Sequence, residues 1–179
     1  VLDSMGYHIS ETELVGSDYG SLTKRKRYCM VASIKKGFEF DDSLKKINTR
    51  TVRDILEVPV ENRDWLDKNN SATISYSLEK EKEHIRKGEG FRIGRTYLDD
   101  KATPTITKGY FKGRLTDPIL CHPTIPHTYS WFTPRELARI NGLPEDFLLT
   151  DTKSTNGEII GQGVCYEAFN AVGKMIINH

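Results

Sequence analysis

The residues able to do chemistry fall in a few places. Lys24, Arg25, Lys26 and Arg27 stand in a row directly ahead of an apolar run. Most charge runs are solvated turns, yet four adjacent cations cannot all point apart, and such clusters suit phosphate contacts. Residues 102–116 mix small hydroxyl side chains with two glycines, two lysines, Arg114 and two aromatics. Hydroxyls and backbone N–H groups bond phosphates and base edges, and glycine allows close backbone approach. Taken alone, that stretch reads as a polar hairpin. Cys121, His122 and His127 carry metal-binding atoms, but Pro123 and Pro126 break the stretch and no fourth ligand has structural-zinc spacing, so no metal is expected. Gly88, Gly90 and Gly94 follow a charged helix, not an apolar strand, and their spacing is wrong for a dinucleotide loop. Cys29, Cys121 and Cys165 are isolated thiols, the pattern of a reducing compartment.

The totals narrow the partners. The net charge of the 179 residues is +1, so any DNA surface must come from local clustering. A mean hydropathy of -0.53 fits a polar, soluble, folded chain, and no stretch is long and apolar enough to span a bilayer. No signal peptide is visible. The chain starts at Val1 in structured-looking sequence, as a continuation would.

These residues need elements to hold them. Residues 1–7 read as a helix end stopped by Gly6, and 7–15 as an extended segment. A basic loop spans 16–26, and 28–34 form an apolar run fit for a buried strand. This strand–loop–strand unit is too apolar to stand alone. Thr51 caps a short helix over 51–57. Residues 73–76 suggest a short strand, and 77–87 a charged helix closed by Gly88. The best-specified helix start is at Thr133. It stands at the N-cap, Pro134 at N1 and Glu136 at N3, completing a capping box, with Phe132 and Leu137 as the hydrophobic staple. Gly142 is placed to end that helix in a left-handed turn. Cys165, Ala168, Phe169, Val172 and Ile176 fall at helical spacing within 158–177.

By itself the Thr133 helix is a well-capped core helix. Its sequence, Thr-Pro-Arg-Glu-Leu-Ala-Arg-Ile-Asn-Gly-Leu-Pro-Glu-Asp-Phe, closely resembles the ninth motif of the DNA (cytosine-5) methyltransferases, a helix that braces the recognition domain against the catalytic domain. Residues 14–35 resemble the eighth motif. Arg25 and Arg27 match its two arginines, and Thr23 stands where the family has Gln. The resemblance implies that Arg25 and Arg27 hold the flipped cytosine and a nearby phosphate. Residues 158–177 resemble the tenth motif, with Gly161 and Val164 matching, Gln162 replacing Asn and Gly163 the small residue. Gln162, Gly163 and Val164 would then line the S-adenosylmethionine pocket. Thr105-Ile106 resembles the dipeptide ahead of the recognition loop, and 108–113 would be that loop. The implied DNA-binding set is Lys24, Thr105, Ile106, Thr107, Lys108, Gly109, Tyr110, Lys112 and Gly113.

The family's Pro-Cys nucleophile is absent, as are its glycine-rich cofactor loop and Glu-Asn-Val segment. The resemblance therefore implies the carboxyl-terminal half of such an enzyme, in a mixed α/β (α+β) fold. Residues 1–45 and 132–179 would form the edge of a methyltransferase catalytic domain, and 46–131 a small irregular target-recognition domain. The complete protein would methylate C5 of cytosine in double-stranded DNA, as in bacterial or phage cytoplasm. This chain would use S-adenosylmethionine only with the missing amino-terminal half. A separate catalytic chain would be a partner if the enzyme is split, and an open apolar face around 28–34 is then expected. The other readings are a non-catalytic DNA-binding remnant and a structural module without a DNA role.

Overall fold

Two eight-residue strands, β1 (His8–Val15) and β2 (Lys26–Ser33), pair antiparallel from His8↔Ser33 to Val15↔Lys26 in a computed structural model describing residues 1–179. Strand side chains alternate between faces. One face carries Leu14 and Cys29 into a core shared with Phe38 and the C-terminal helix; the other leaves Tyr28 65% and Met30 44% exposed. The apolar run at 28–34 is thus not a buried strand. Only one layer covers the hairpin, and Ile34 lies in solvent beyond its end. Ahead of β1, the expected helix end is a 3-10 turn, Asp3–Met5, closed by Gly6.

The middle of the chain is built on α1 (Ala72–Arg86) and a sheet of β3 (Gly94–Thr96), β4 (Pro118–Cys121) and β5 (Tyr129–Ser130). β3 and β4 run parallel; β4 and β5 run antiparallel. Residues 73–76 are the first turn of α1 and not a strand. Ser71 Oγ accepts the Ile74 N–H as N-cap, and Ile74, Leu78 and Glu81 bury one face at helical spacing. The Thr51 turn is there as a short 3-10 helix, Val52–Ile55, with Asp54 closing its capping box.

Three helices close the chain: α2 (Pro134–Ile140), α3 (Lys153–Gln162) and α4 (Tyr166–Asn178). The α2 start has the capping box and Pro134 as read, and Gly142 follows at φ +75°. The helical spacing read from Cys165 onward is α4, and residues 158–162 belong to a separate helix, α3. Gly163 takes an extended ψ of 168°, which breaks the ladder between α3 and α4. The buried stripe of α4 is Ala168, Ala171, Val172 and Met175, so Ile176 points outward. A central core joins Leu22, Ile55, Ile106, Tyr110, Leu137 and Ile160, drawing on segments far apart in sequence. No helix is long and apolar enough to cross a membrane.

Gly157 and Gly161 lie one turn apart on α3 and let it press against residues 107–111. A Cβ on Gly157 would stand 2.7 Å from the Phe111 ring, and one on Gly161 would collide with the Thr107 carbonyl. We therefore expect Gly161→Ala to lower stability by about 3 kcal/mol or more, since backbone cannot move aside as a flexible side chain can. Gly173, inside α4, faces open space. Gly173→Ala should raise stability by about 0.5–1 kcal/mol. Thermal melts of the two variants check both signs.

Candidate functional site

The loop joining β1 to β2 is stitched into the centre of the molecule. Leu22 N–H donates to Ile140 O at the end of α2, Thr103 N–H to Leu22 O, and Lys24 N–H to Thr103 O. This threading buries Thr23 and Arg25. Arg25 Nη1 donates to Ile106 O at 3.0 Å and Nη2 to Gly161 O at 2.8 Å. The last carbonyls of a helix lack partners within it. In α3, Asn141 Nδ2 takes Ile160 O and Arg25 takes Gly161 O. The negative end of α3 also favours a cation there, which is why Arg25 can be buried without a carboxylate.

Arg25 is 4% exposed, and both its terminal nitrogens are engaged inside the protein. In this structure the guanidinium is turned into the protein and not toward an open surface. It serves as an internal tie. Arg27, two positions on, is half-buried, and Lys24 is exposed. Burial pushes the Cys165 thiol up, and the Arg27 charge pulls against it, so Arg27 lies near the turn ahead of α4.

The recognition stretch is corrected in the same way. Ile106, Gly109 and Tyr110 are buried, so they cannot touch DNA. The Tyr110 hydroxyl accepts the Phe132 N–H at 2.8 Å, anchoring the stretch to the approach to α2. Thr107 donates its hydroxyl to Asp117 at 2.8 Å. Burial raises the Asp117 carboxyl, against the pull of the Thr107 bonds and Arg114. The stretch is not a hairpin but a tethered loop with a 3-10 turn, Tyr110–Lys112. Lys108 and Lys112 stay exposed, and Thr105, Thr107 and Gly113 are partly so.

Gln162 ends α3, its amide donating to Glu158 at 3.0 Å. Gly163 and Val164 form the turn into α4, with Val164 45% exposed. This turn follows directly on the carbonyl that Arg25 holds. One guanidinium thus ties together the basic loop, the recognition stretch and the α3–α4 turn. Cys121 and His122 go elsewhere: Cys121 is buried in β4, and His122 Nδ1 accepts the Thr124 and Ile125 N–H groups as a turn cap.

Sequence reading missed Arg63. Glu136, beyond its capping bond from Thr133 N–H, accepts Arg63 through two 2.8 Å bonds and the Glu57 N–H at 2.8 Å. Arg63 also donates to Val58 O and Trp131 O. Both side chains are buried. Burial pushes the Glu136 carboxyl up, but Arg63 and the Thr133 and Glu57 N–H groups outweigh it, and the carboxyl ends below its ordinary value. No local pattern marks Arg63; the only available signal was that a buried capping-box glutamate needs a cation.

A family model described as C-5 cytosine-specific DNA methylase matches residues 1–178. The type II methyltransferase M.SsoII of Shigella sonnei is 27% identical over 184 residues, covering 99% of this chain and 46% of that protein. M.DsaV of Dactylococcopsis salina is 24% identical, covering 100% of this chain and 50% of its own length. The chain spans about half the length of these curated relatives. The S. pombe Dnmt2 methyltransferase superposes with a TM-score of 0.72 at 18% identity, covering 99% of this chain and 58% of that one, a likeness of fold.

Two outcomes follow from the buried ions. Glu136→Gln should cost about 3–5 kcal/mol, because it strands a buried Arg63 charge. A carboxyl held below its ordinary value stabilises the fold at neutral pH, and that contribution is lost as pH falls through the depressed value. Denaturant melts below the ordinary 4.5 should therefore show a steeper loss in the parent chain than in the variant. Arg25→Met should cost about 2–4 kcal/mol by leaving two carbonyls without donors, and Arg27→Ala no more than about 0.5 kcal/mol. Chemical denaturation separates the two arginines.

Proposed function

The chain belongs to the C-5 cytosine-specific DNA methylase family, and from that we propose that it supplies the DNA-recognition and closing portion of a cytosine-5 methyltransferase. The complete enzyme would move a methyl group from S-adenosylmethionine to C5 of a cytosine flipped out of duplex DNA. The observation that carries this reading is the Arg25 junction. It joins segments 81 and 136 residues away in sequence, the first holding the dipeptide that resembles the recognition core and the second the block that resembles the tenth motif.

Roles divide by exposure. Arg27 would hold the flipped base and its phosphate. Lys24, Lys108 and Lys112 would meet phosphates, and Thr105, Thr107 and Gly113 would approach base edges. Arg25 and Tyr110 would set the position of these groups from within. Gln162, Gly163 and Val164 fit one wall of a cofactor pocket: an amide, open backbone and an exposed apolar side chain suit a nucleoside. S-adenosylmethionine would supply the transferable methyl. Three solvent-facing residues do not enclose such a ligand, so the remaining walls would come from an amino-terminal half. Residues 1–45 and 132–179 would be the catalytic-domain edge, and 46–131 the recognition domain.

Cysteine chemistry supports the need for that half. The reaction requires a thiolate to attack C6 of cytosine. Cys29, Cys121 and Cys165 are all buried, none follows a proline, and burial raises each thiol above its ordinary value. The same observation favours a second reading, a DNA-binding chain without turnover. Mixing with a chain that carries the Pro-Cys segment separates the two: restored methyl transfer supports the first reading, and duplex binding without transfer the second.

The direct test is fluorescence anisotropy of duplex DNA across a salt series. Binding should weaken steeply with salt, and each of Lys24→Ala, Lys108→Ala and Lys112→Ala should reduce the slope of log K against log salt by about 0.9. Slopes unchanged in all three variants would reject these lysines as phosphate contacts.

A further inference from the structure

Both tryptophans of the chain, Trp65 and Trp131, line one cleft with Phe111, between the approach to α2 and the start of α3. The cleft encloses about 850 Å³, within the roughly 300–1,000 Å³ range of small-molecule sites. All three aromatics are half-buried. Each is braced from behind: Trp65 against His122 with centroids 4.5 Å apart, Trp131 against Tyr110 at 5.3 Å, and Phe111 against Tyr110 at 4.9 Å. Trp65 Nε1 is also fixed, donating to Val60 O at 3.0 Å. These rings are therefore held in place before any ligand arrives, and each gives part of its surface to the cleft, Phe111 also packing on Gly157 of α3. Exposed Lys153 lines it, as does the exposed Asp64 carboxylate, and Asn62 adds an amide, while Ser130 Oγ is taken by Arg63 Nε.

From this geometry we propose that the cleft binds an unpaired nucleotide of the DNA, with its base stacked on the aromatic walls and its phosphate met by Lys153. Stacking requires a free base face, which a base within a paired duplex does not offer. The site is separate from the Arg27 and cofactor-turn region. Lys153 and Gly161 lie eight residues apart on α3, about 12 Å at 1.5 Å per residue. The proposal deepens the DNA reading above and rests on it for the class of ligand. It gives Phe111, in the recognition stretch, a role that buried Tyr110 cannot have.

The test uses the whole chain and its own tryptophan emission, because both fluorophores line the cleft. Two probes of equal length are compared, a fully paired duplex and the same duplex with a single-nucleotide bulge. The bulged duplex should quench the emission and bind about 5- to 100-fold more tightly than the paired one, as expected for one stacked base. Lys153→Glu, at an exposed position that does not threaten the fold, should remove most of that advantage, and Phe111→Leu should reduce it further. Equal affinity for both probes with unchanged emission would overturn the proposal. So would a Lys153→Glu variant that keeps the full advantage, or quenching by a proline-rich peptide but by no oligonucleotide. If anisotropy finds no duplex binding while a short single strand still quenches, the duplex reading falls and the cleft assignment stands. If duplex binds with salt sensitivity while emission never changes, the cleft assignment falls alone.

Discussion

The structure depends on one buried carboxylate. Glu136 closes the capping box of α2 and also accepts from Arg63 and the Glu57 N–H. A buried charge costs least when its hydrogen bonds are filled. Satisfying Glu136 therefore fixes where residues 57–63 run, how α2 is entered, and where Trp131 stands, because Arg63 also holds its carbonyl. The aromatic cleft is lined by that same approach to α2.

Arg25 is the complementary case. It is a buried cation with no counter-charge, held by carbonyls and by the negative end of α3. Glu136 secures the first turn of α2, while Asn141, just past its last turn, caps α3 beside Arg25. The seven-residue α2 thus stands between two buried ions with opposite tasks. One orders the segment leading into the middle of the chain. The other aligns the basic loop, the recognition stretch and the α3–α4 turn.

What the sequence made legible was local. The α2 start could be read because Thr133, Pro134 and Glu136 satisfy one another within four residues, and the β1–β2 unit because its extended segments flank a short basic loop. The family resemblance rested on the same local blocks, and the family match bears it out. What stayed hidden was non-local. Arg63 meets Glu136 across 73 residues, and the acceptors of Arg25 are backbone carbonyls that carry no residue identity. Ile106 and Tyr110 entered the expected DNA-reading set through the resemblance of Thr105-Ile106 and the following loop, yet the central core claims both. Tyr28 and Met30 looked buried because composition does not reveal how many layers cover a sheet.

The Arg25–Gly161 bond has a consequence in time. Its partners are 136 residues apart, and contacts of such separation form late, after the entropy of closing the intervening chain has been overcome. During vectorial synthesis the basic loop emerges well before α3. The loop can meet its Thr103 and Ile140 backbone partners before that, but Arg25 lacks its Gly161 acceptor until α3 is available. When α3 docks, the Gly161 carbonyl completes the Arg25 junction between the loop, residue 106 and the α3–α4 turn. Until then Arg25 has only one of its two carbonyl acceptors within reach, so the junction is a property of the assembled fold.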